Sequence, residues 1–256
     1  MSKRQKFILS SVLLAIGLLA LQFSEEDFRY QAIGLLTVFS CILTWWSLRE
    51  ALAGIRWLTT VILPVLFTAG VGLFYFLLPS LWLSQLPIVI LYAVGFYALL
   101  LTENIFSVAS IRTIQLLRAA HGVGFLLTLL TAFFLFDTIF SFRLSGWVNA
   151  VTVFCVSWVL YLHGLWSVNL EEKLSKPILL YSWSLALTSM AIAFVLSFYP
   201  VTVAMISLFL TNLVYVQLGI VQAFLEGRLF RRTINEYLLV GLVVLVIFLF
   251  NCHWSR

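Results

Sequence analysis

Charged residues are scarce in this sequence. Asp, Glu, Lys and Arg make up 10% of the 256 residues, and hydrophobic residues make up 63%. In a soluble domain, charged residues make up about a quarter of the chain. This composition excludes a water-soluble surface. The 15 Lys and Arg residues are dispersed in short connections between apolar runs, so the net charge of +5 predicts no interaction with nucleic acid.

Motifs for catalysis, cofactors and metals are also missing. The three cysteines, Cys41, Cys155 and Cys252, show no C-x-x-C or Cys/His spacing. No H-E-x-x-H or comparable spacing selects a metal geometry. The sequence therefore predicts no catalytic residue, no cofactor and no metal site, and it disfavours an enzyme without deciding the question.

Long apolar runs dominate what the sequence does contain. Nine runs approach the roughly 20 residues that a helix needs to cross a bilayer, although the apolar core of the last, residues 238–250, is short enough for a re-entrant segment. They are approximately Phe7–Phe23, Tyr30–Leu48, Trp57–Leu78, Leu81–Leu101, His121–Phe140, Trp147–Trp166, Ile178–Phe198, Val201–Phe224 and Tyr237–Phe250. Backbone polar groups in lipid must be satisfied within the segment. The fold class predicted is all-α, a polytopic transmembrane helical bundle of about nine spans.

The basic residues predict the orientation of these spans. With nine crossings, twelve of the 15 Lys and Arg residues fall on one side, and only Arg29, Arg143 and Arg256 fall on the other. Cytoplasmic connections carry the excess of basic residues in membrane proteins. We therefore expect the N-terminus in the cytoplasm and the C-terminus outside.

Asp137 is the one carboxylate inside a predicted span. It lies a few residues from the expected outer end of the fifth span, where Arg143 follows in the connection. We expect an interfacial ion pair between Asp137 and Arg143, with a proton or cation relay as the alternative.

Amides occupy the eighth span. Asn212 lies near its centre, and Gln217 and Gln222 follow. Such groups form hydrogen bonds between helices or line a hydrophilic path. The first interpretation is the default, and the second would point to transport.

A second set of polar residues gathers at the expected cytoplasmic ends of the spans. Histidine and carboxylate together can bind metal or transfer protons, whereas headgroup-level residues are commonly polar for solvation alone. The set comprises Glu103, Asn104, His121, His163, Asn169, Glu171 and Glu172.

Small residues recur along the seventh span at intervals of three and four. They are Ser182, Ala186, Ser189, Ala193 and Ser197. Small residues let helix backbones approach closely. We expect this face to pack against another helix, with a partner membrane protein or a ligand groove as the alternative.

The longest connection, Thr102 to Ala120, contains no room for a soluble domain. Its mixture of apolar and polar residues predicts either an amphipathic helix lying along the interface or cytoplasmic extensions of the fourth and fifth helices.

Residues Thr102 to Phe142, reading TENIFSVASIRTIQLLRAAHGVGFLLTLLTAFFLFDTIFSF, resemble a segment of an uncharacterised family of bacterial multi-pass membrane proteins of unknown function. The resemblance covers about a sixth of the chain. It implies the cytoplasmic (inner) membrane of a bacterium and transfers no site residues.

Recurring landmarks suggest an internal duplication within a single membrane domain, residues 1–256. Pro79 and Pro200 occupy similar outer turns, and Glu103 and Glu226 close the fourth and eighth spans. We expect residues 7–106 and 121–229 to be related, with a ninth helix at 234–253. Two such repeats would share one orientation, as parallel repeats of transporters do.

Three classes of function stay open for a chain whose one certain partner is the lipid bilayer. The first is binding or transport of a small or lipophilic solute, favoured by Asn212 and by the duplication. The second is a membrane scaffold subunit of a larger complex, favoured by scarce buried charge and the small-residue face. An intramembrane enzyme acting on a lipid comes third, because no nucleophile with its base is recognised.

Overall fold

In a computed structural model of the chain, the structure describes residues 2–23, 28–49, 56–79, 82–109, 116–170 and 174–252. Within these ranges it contains nine α-helices and a short 3-10 helix, Leu21–Phe23, with no β-strand. The α-helices are α1 (Lys3–Ala20), α2 (Arg29–Leu48), α3 (Arg56–Leu77), α4 (Trp82–Ala109), α5 (Leu117–Ser141), α6 (Gly146–Asn169), α7 (Lys176–Leu196), α8 (Val203–Leu225) and α9 (Arg231–Phe250). The all-α fold predicted from the apolar runs is confirmed.

Eight of these helices, α2 to α9, are long and apolar enough to cross a membrane. The ninth segment, which the sequence left in doubt, is a continuous helix of 20 residues. The first helix, α1, has 18 residues and carries Lys3, Arg4 and Lys6 at its start, and it is not among the eight. The chain is thus a multi-pass helical membrane protein, and a crossing by α1 stays a prediction.

Local sequence explains how several helices begin. Ser2 and Gln5 form a reciprocal capping box at the start of α1, since each side chain bonds the backbone N–H of the other residue. Pro177 lies in the first turn of α7, where its missing N–H costs nothing. Pro87 lies inside α4, which begins at Trp82.

The long connection after the fourth span is mostly helical extension. Helix α4 continues to Ala109 and α5 begins at Leu117. Residues 110–115 lie outside the described part of the chain. The described residues of this connection extend the two helices, as the second alternative predicts, and an interfacial helix over the rest stays a prediction.

The chain divides into two compact units. Unit 1 consists of Met1–Thr131 and Leu170–Lys173, and unit 2 of Ala132–Asn169 and Leu174–Arg256. In unit 1, α1 packs on α2 and α4, and α3 packs on the same two helices. In unit 2, α6 packs closely along α7, and α8 contacts α6, α7 and α9.

Aromatic rings fill the interface of α3 and α4 in unit 1, which we call the α3–α4 seam. The rings of Phe67 and Tyr92 stack with centroids 5.7 Å apart, and the hydroxyls of Thr68 and Tyr92 lie 3.0 Å apart. Tyr75 donates a hydrogen bond of 3.3 Å to Gln85. The seam consists of Phe67, Thr68, Tyr75, Gln85, Tyr92 and Gly95.

Candidate functional site

Amide and hydroxyl side chains of α6, α7 and α8 form one connected group in unit 2. Tyr161 donates to the Gln217 carbonyl oxygen, and its hydroxyl lies 3.0 Å from that of Ser189. The Gln217 amide nitrogen donates to Thr188 at 2.7 Å. These four residues, named here the polar network, join three helices. The interhelical bonding predicted for Gln217 is confirmed.

The other two amides of α8 behave differently from each other. Gln222 donates a hydrogen bond of 2.8 Å to the Gly164 carbonyl of α6. Asn212 lies beside Gly241 of α9, and its side chain has no hydrogen bond with any residue that the structure describes. The bond between helices that we expected is thus formed by Gln222 and not by Asn212.

The pairing predicted for Asp137 is wrong. Asp137 is 8% exposed and accepts a hydrogen bond of 3.3 Å from Ser207 of α8. Within the described part of the chain, no ion pair joins it to Arg143. Arg143 lies exposed in the turn after α5, with a left-handed backbone (φ 49°), whereas the Asp137 side chain is buried and bonds α8.

A cavity of about 560 Å³ opens at the end of unit 2 that contains Arg143, and we call it the polar crevice. It lies where α5 ends, α6 begins and the connection from α7 leads into α8. Its charged residue is Arg143, and Asn149, Ser197 and Thr202 are among its polar ones. The lining is Phe140, Arg143, Leu144, Asn149, Ser197, Tyr199, Val201, Thr202, Val203 and Ile206.

A second cavity of about 350 Å³, the apolar groove, lies between α7, α8 and α9 in the same unit. Phe209 and Phe248 both line it, and their ring centroids lie 4.9 Å apart. Tyr199 lines both this groove and the polar crevice. The full lining is Ala191, Ile192, Val195, Leu196, Tyr199, Phe209, Leu245, Phe248 and Leu249. The two cavities therefore share one lining residue.

The polar residues expected at the cytoplasmic ends are distributed over both units. Glu103 and His121 belong to unit 1, where Glu103 is buried and the His121 ring lies 5.4 Å from that of Phe106. His163 belongs to unit 2 and is buried beside Trp166. Glu171 and Glu172 lie outside the described residues. In the rest, no three His, Cys, Asp or Glu side chains are placed to hold a metal ion.

The small-residue face of α7 is used inside the chain. Ser182, Ala186, Ser189 and Ala193 are buried, and the Ser189 contact with Tyr161 places this face against α6. At the end of the face, half-buried Ser197 accepts a bond of 3.4 Å from Asn149. Close packing of this face agrees with the sequence interpretation. Contact with other membrane proteins stays a prediction.

Apart from Arg143 and Ser197, sequence reasoning missed the residues that build the polar crevice. Asn149 is a polar residue within the sixth predicted span, so its depth alone was a usable signal. Thr202 lies within the eighth predicted span and carried the same signal, whereas Tyr199 lies in a connection whose neighbours depend on how the helices pack.

Comparison with known proteins identifies a family without assigning an activity. No curated protein matches the chain, and no solved structure does. A family model described as "Protein of unknown function (DUF5656)" matches residues 13–251, a range that includes the polar crevice and the apolar groove. The chain belongs to this DUF5656 family of unknown function.

Proposed function

We propose that the protein binds a lipophilic solute with a polar end, either as a receptor or as a step of transport. The observation that carries this proposal is Tyr199, which lines the polar crevice on one side and the apolar groove on the other. An amphiphile needs both environments at adjoining positions. Most ligand sites have volumes of about 300–1,000 Å³, and both cavities fall within that range.

Binding in the groove needs a source of free energy that the surrounding lipid does not supply. Its walls are side chains of three helices, and Phe248 is 4% exposed. An alkyl chain gains no hydrophobic free energy on moving from lipid to protein, so affinity for the groove must come from packing. Selectivity then comes from the polar crevice, where hydrogen bonds with the polar end can form.

Blocking the groove tests this proposal. Ala191 is an exposed residue of its lining, and Ala191→Trp should fill the space that an alkyl chain would occupy. Val151→Trp is the matched control, because Val151 is an exposed residue of α6 that lines neither cavity. Lipid retained after extensive washing in detergent is quantified by mass spectrometry. We expect close to one molecule per chain for the control and at least a tenfold reduction for Ala191→Trp.

Equal retention by the two variants would overturn the proposal. A fold check by circular dichroism and gel filtration accompanies both, since each places an indole on a helix surface that is already apolar.

A second candidate, a scaffold subunit of a membrane complex, is favoured by α9. Only 6% of its apolar window is buried within the chain, against 28% or more for each of the other candidate spans. Such a helix offers its surface to lipid or to another membrane protein. Crosslinking from Leu242, which is 62% exposed, separates the two: adducts with a single protein species in native membranes favour the scaffold.

The membrane and the orientation belong to this proposal as well. We infer a bacterial cytoplasmic membrane, with the N-terminus inside and the end of α9 outside, from the resemblance of residues 102–142 and from the basic residues. Cys252 follows α9, whereas Cys41 and Cys155 lie within α2 and α6. A membrane-impermeant maleimide added to intact cells should label Cys252 alone. Labelling of Cys252 only after permeabilisation would show that the orientation is the reverse of the one inferred, or that α1 does not cross the membrane.

The duplication of residues 7–106 and 121–229 is supported by a contact pattern that recurs for three of the four helices in each segment. Helices α2, α3 and α4 contact one another in unit 1, and α6, α7 and α8 do so in unit 2. A superposition of the two segments in which four helices match in order and tilt would support the duplication. Different tilts would remove it, together with the argument for transport that rests on repeats.

A further inference from the structure

The residues that line the polar crevice indicate which chemical group it binds, in more detail than the proposed function states. Its charged lining residue is Arg143, and the part of the chain described here places no carboxylate in its lining. The Arg143 backbone adopts the left-handed conformation, which non-glycine residues adopt at an energetic cost and which is common at functional sites. Among the residues that the structure describes, the lining therefore carries one positive charge, that of Arg143, and no negative charge.

Two helices begin at this crevice. Asn149 lies in the first turn of α6, and Val203 is the first residue of α8. Thr202 precedes α8 with an extended backbone, but its side chain makes no capping hydrogen bond. Unsatisfied N–H groups and the helix dipole make such helix starts favourable for anions. A phosphate between Arg143 and the start of α8 would gain from both.

Asn149 supplies an independent indication of a ligand. Its side chain is 4% exposed, and its amide nitrogen donates to the Leu144 carbonyl at 3.3 Å and to the Ser197 hydroxyl at 3.4 Å. Because a carbonyl can only accept, the Leu144 contact fixes which end of the amide is the nitrogen. The remaining oxygen, Oδ1, is buried without a hydrogen bond. This acceptor suits a hydroxyl or ammonium group.

We infer that the polar crevice recognises a phosphate ester whose alcohol carries a further hydrogen-bond donor, such as glycerol or ethanolamine. The phosphate lies against Arg143 and the start of α8, and the donor bonds Asn149 Oδ1. This inference rests on the proposed function, because it names the polar end of the same solute. The shared chemistry is found in phospholipid headgroups and in free phosphate esters.

Four lipids with identical acyl chains test the inference on the full-length protein in detergent. Phosphatidylglycerol has the phosphate and the donor, phosphatidylcholine lacks the donor, and diacylglycerol lacks the phosphate. Phosphatidylethanolamine replaces hydroxyl by ammonium. Native mass spectrometry gives the apparent Kd of each. We expect phosphatidylglycerol and phosphatidylethanolamine to bind at least tenfold more tightly than diacylglycerol, with phosphatidylcholine between.

Substitutions assign the preference to residues. Arg143→Gln should weaken binding of all three phospholipids about tenfold and leave diacylglycerol unchanged, whereas Arg143→Lys should retain most of the preference. Arg231→Gln is the control, because Arg231 is an exposed arginine at the opposite end of α9 from this crevice. Asn149→Ser should remove the advantage of phosphatidylglycerol over phosphatidylcholine.

The outcomes separate this inference from the proposed function. If diacylglycerol binds as tightly as phosphatidylglycerol and Ala191→Trp abolishes both, the inference fails and the proposed function stands. If no lipid binds, and glycerol phosphate in solution does not bind either, both fail. If glycerol phosphate alone binds and Arg143→Gln abolishes it, the phosphate ester is confirmed as a water-borne ligand and the lipophilic part of the proposed function is overturned.

Discussion

The α3–α4 seam of unit 1 and the polar network of unit 2 hold helices together by different means. In the seam, stacked rings fill the space and each hydrogen bond joins one pair of side chains on two helices. In the network, Gln217 uses both ends of its amide and connects α8 with α6 and α7. Shape therefore dominates the first contact, and polar bonding across three helices dominates the second.

The largest expected effect is that of Gln217→Leu, which removes the centre of the polar network. Interhelical hydrogen bonds in membranes contribute about 0.6 kcal/mol each, and Gln217 bonds Tyr161, Thr188 and Ser189. We expect a loss of roughly 2 kcal/mol of unfolding free energy, measured by SDS titration in mixed micelles.

Gln85→Leu in the seam is the matched change. Gln85 accepts one hydrogen bond, from Tyr75, so we expect a cost of about 0.6 kcal/mol. Equal costs for the two substitutions would show that the additional hydrogen bonds of Gln217 contribute nothing measurable to stability.

Glycine substitutions test how closely the helix surfaces fit. For these substitutions we expect the larger cost in the α3–α4 seam rather than beside the polar network. A Cβ at Gly95 would lie 2.8 Å from the buried Phe67 ring, and a Cβ at Gly164 would lie 2.9 Å from Leu218 of α8. A leucine end moves more readily than a buried ring. We expect Gly95→Ala to cost about 1.5 kcal/mol by overpacking.

Gly164→Ala, in the helix that carries Tyr161, should be close to neutral in the same titration, because greater helix propensity offsets the displacement. A larger cost at Gly164 than at Gly95 would contradict the conclusion that shape dominates the α3–α4 seam and polar bonding dominates the polar network.

Removal of a single hydroxyl distinguishes two buried tyrosines. Tyr161 bonds Ser189 and Gln217, whereas Tyr92 bonds Thr68, which also donates to the Pro64 carbonyl. Tyr161→Phe should cost about 1 kcal/mol and Tyr92→Phe about half as much. Thermal unfolding of the two purified variants, compared with the unchanged protein, resolves the difference. The reverse order would mean that the number of hydrogen bonds made by the hydroxyl does not set the cost at these two positions.

Helix positions were predictable because a bilayer imposes a length on apolar runs. The second run, expected at Tyr30–Leu48, is the helix Arg29–Leu48, and the face of small residues on α7 faces another helix as its periodicity indicated. Both are properties of a single helix, which hydropathy and spacing within one segment describe.

The site was not predictable in the same way, because it depends on which helix faces meet. Asp137 is six positions before Arg143, and that proximity suggested an ion pair. In the structure, Arg143 lies in a turn with a left-handed backbone, and Asp137 instead accepts a hydrogen bond from Ser207 of α8. Tyr199, which lines both cavities, has no distinguishing sequence context, since its importance arises from walls contributed by three separate helices.

The sparse burial of α9 has a consequence for how a solute reaches the apolar groove. Leu245, Phe248 and Leu249 form one wall of that groove, and the helix that carries them follows a left-handed turn at Gly227. Outward movement of α9 would chiefly break its contacts with α8, among them the ring pair of Phe209 and Phe248. We expect the solute to enter sideways from a bilayer leaflet, without a water-filled path, and its exchange rate to depend on lipid packing around α9.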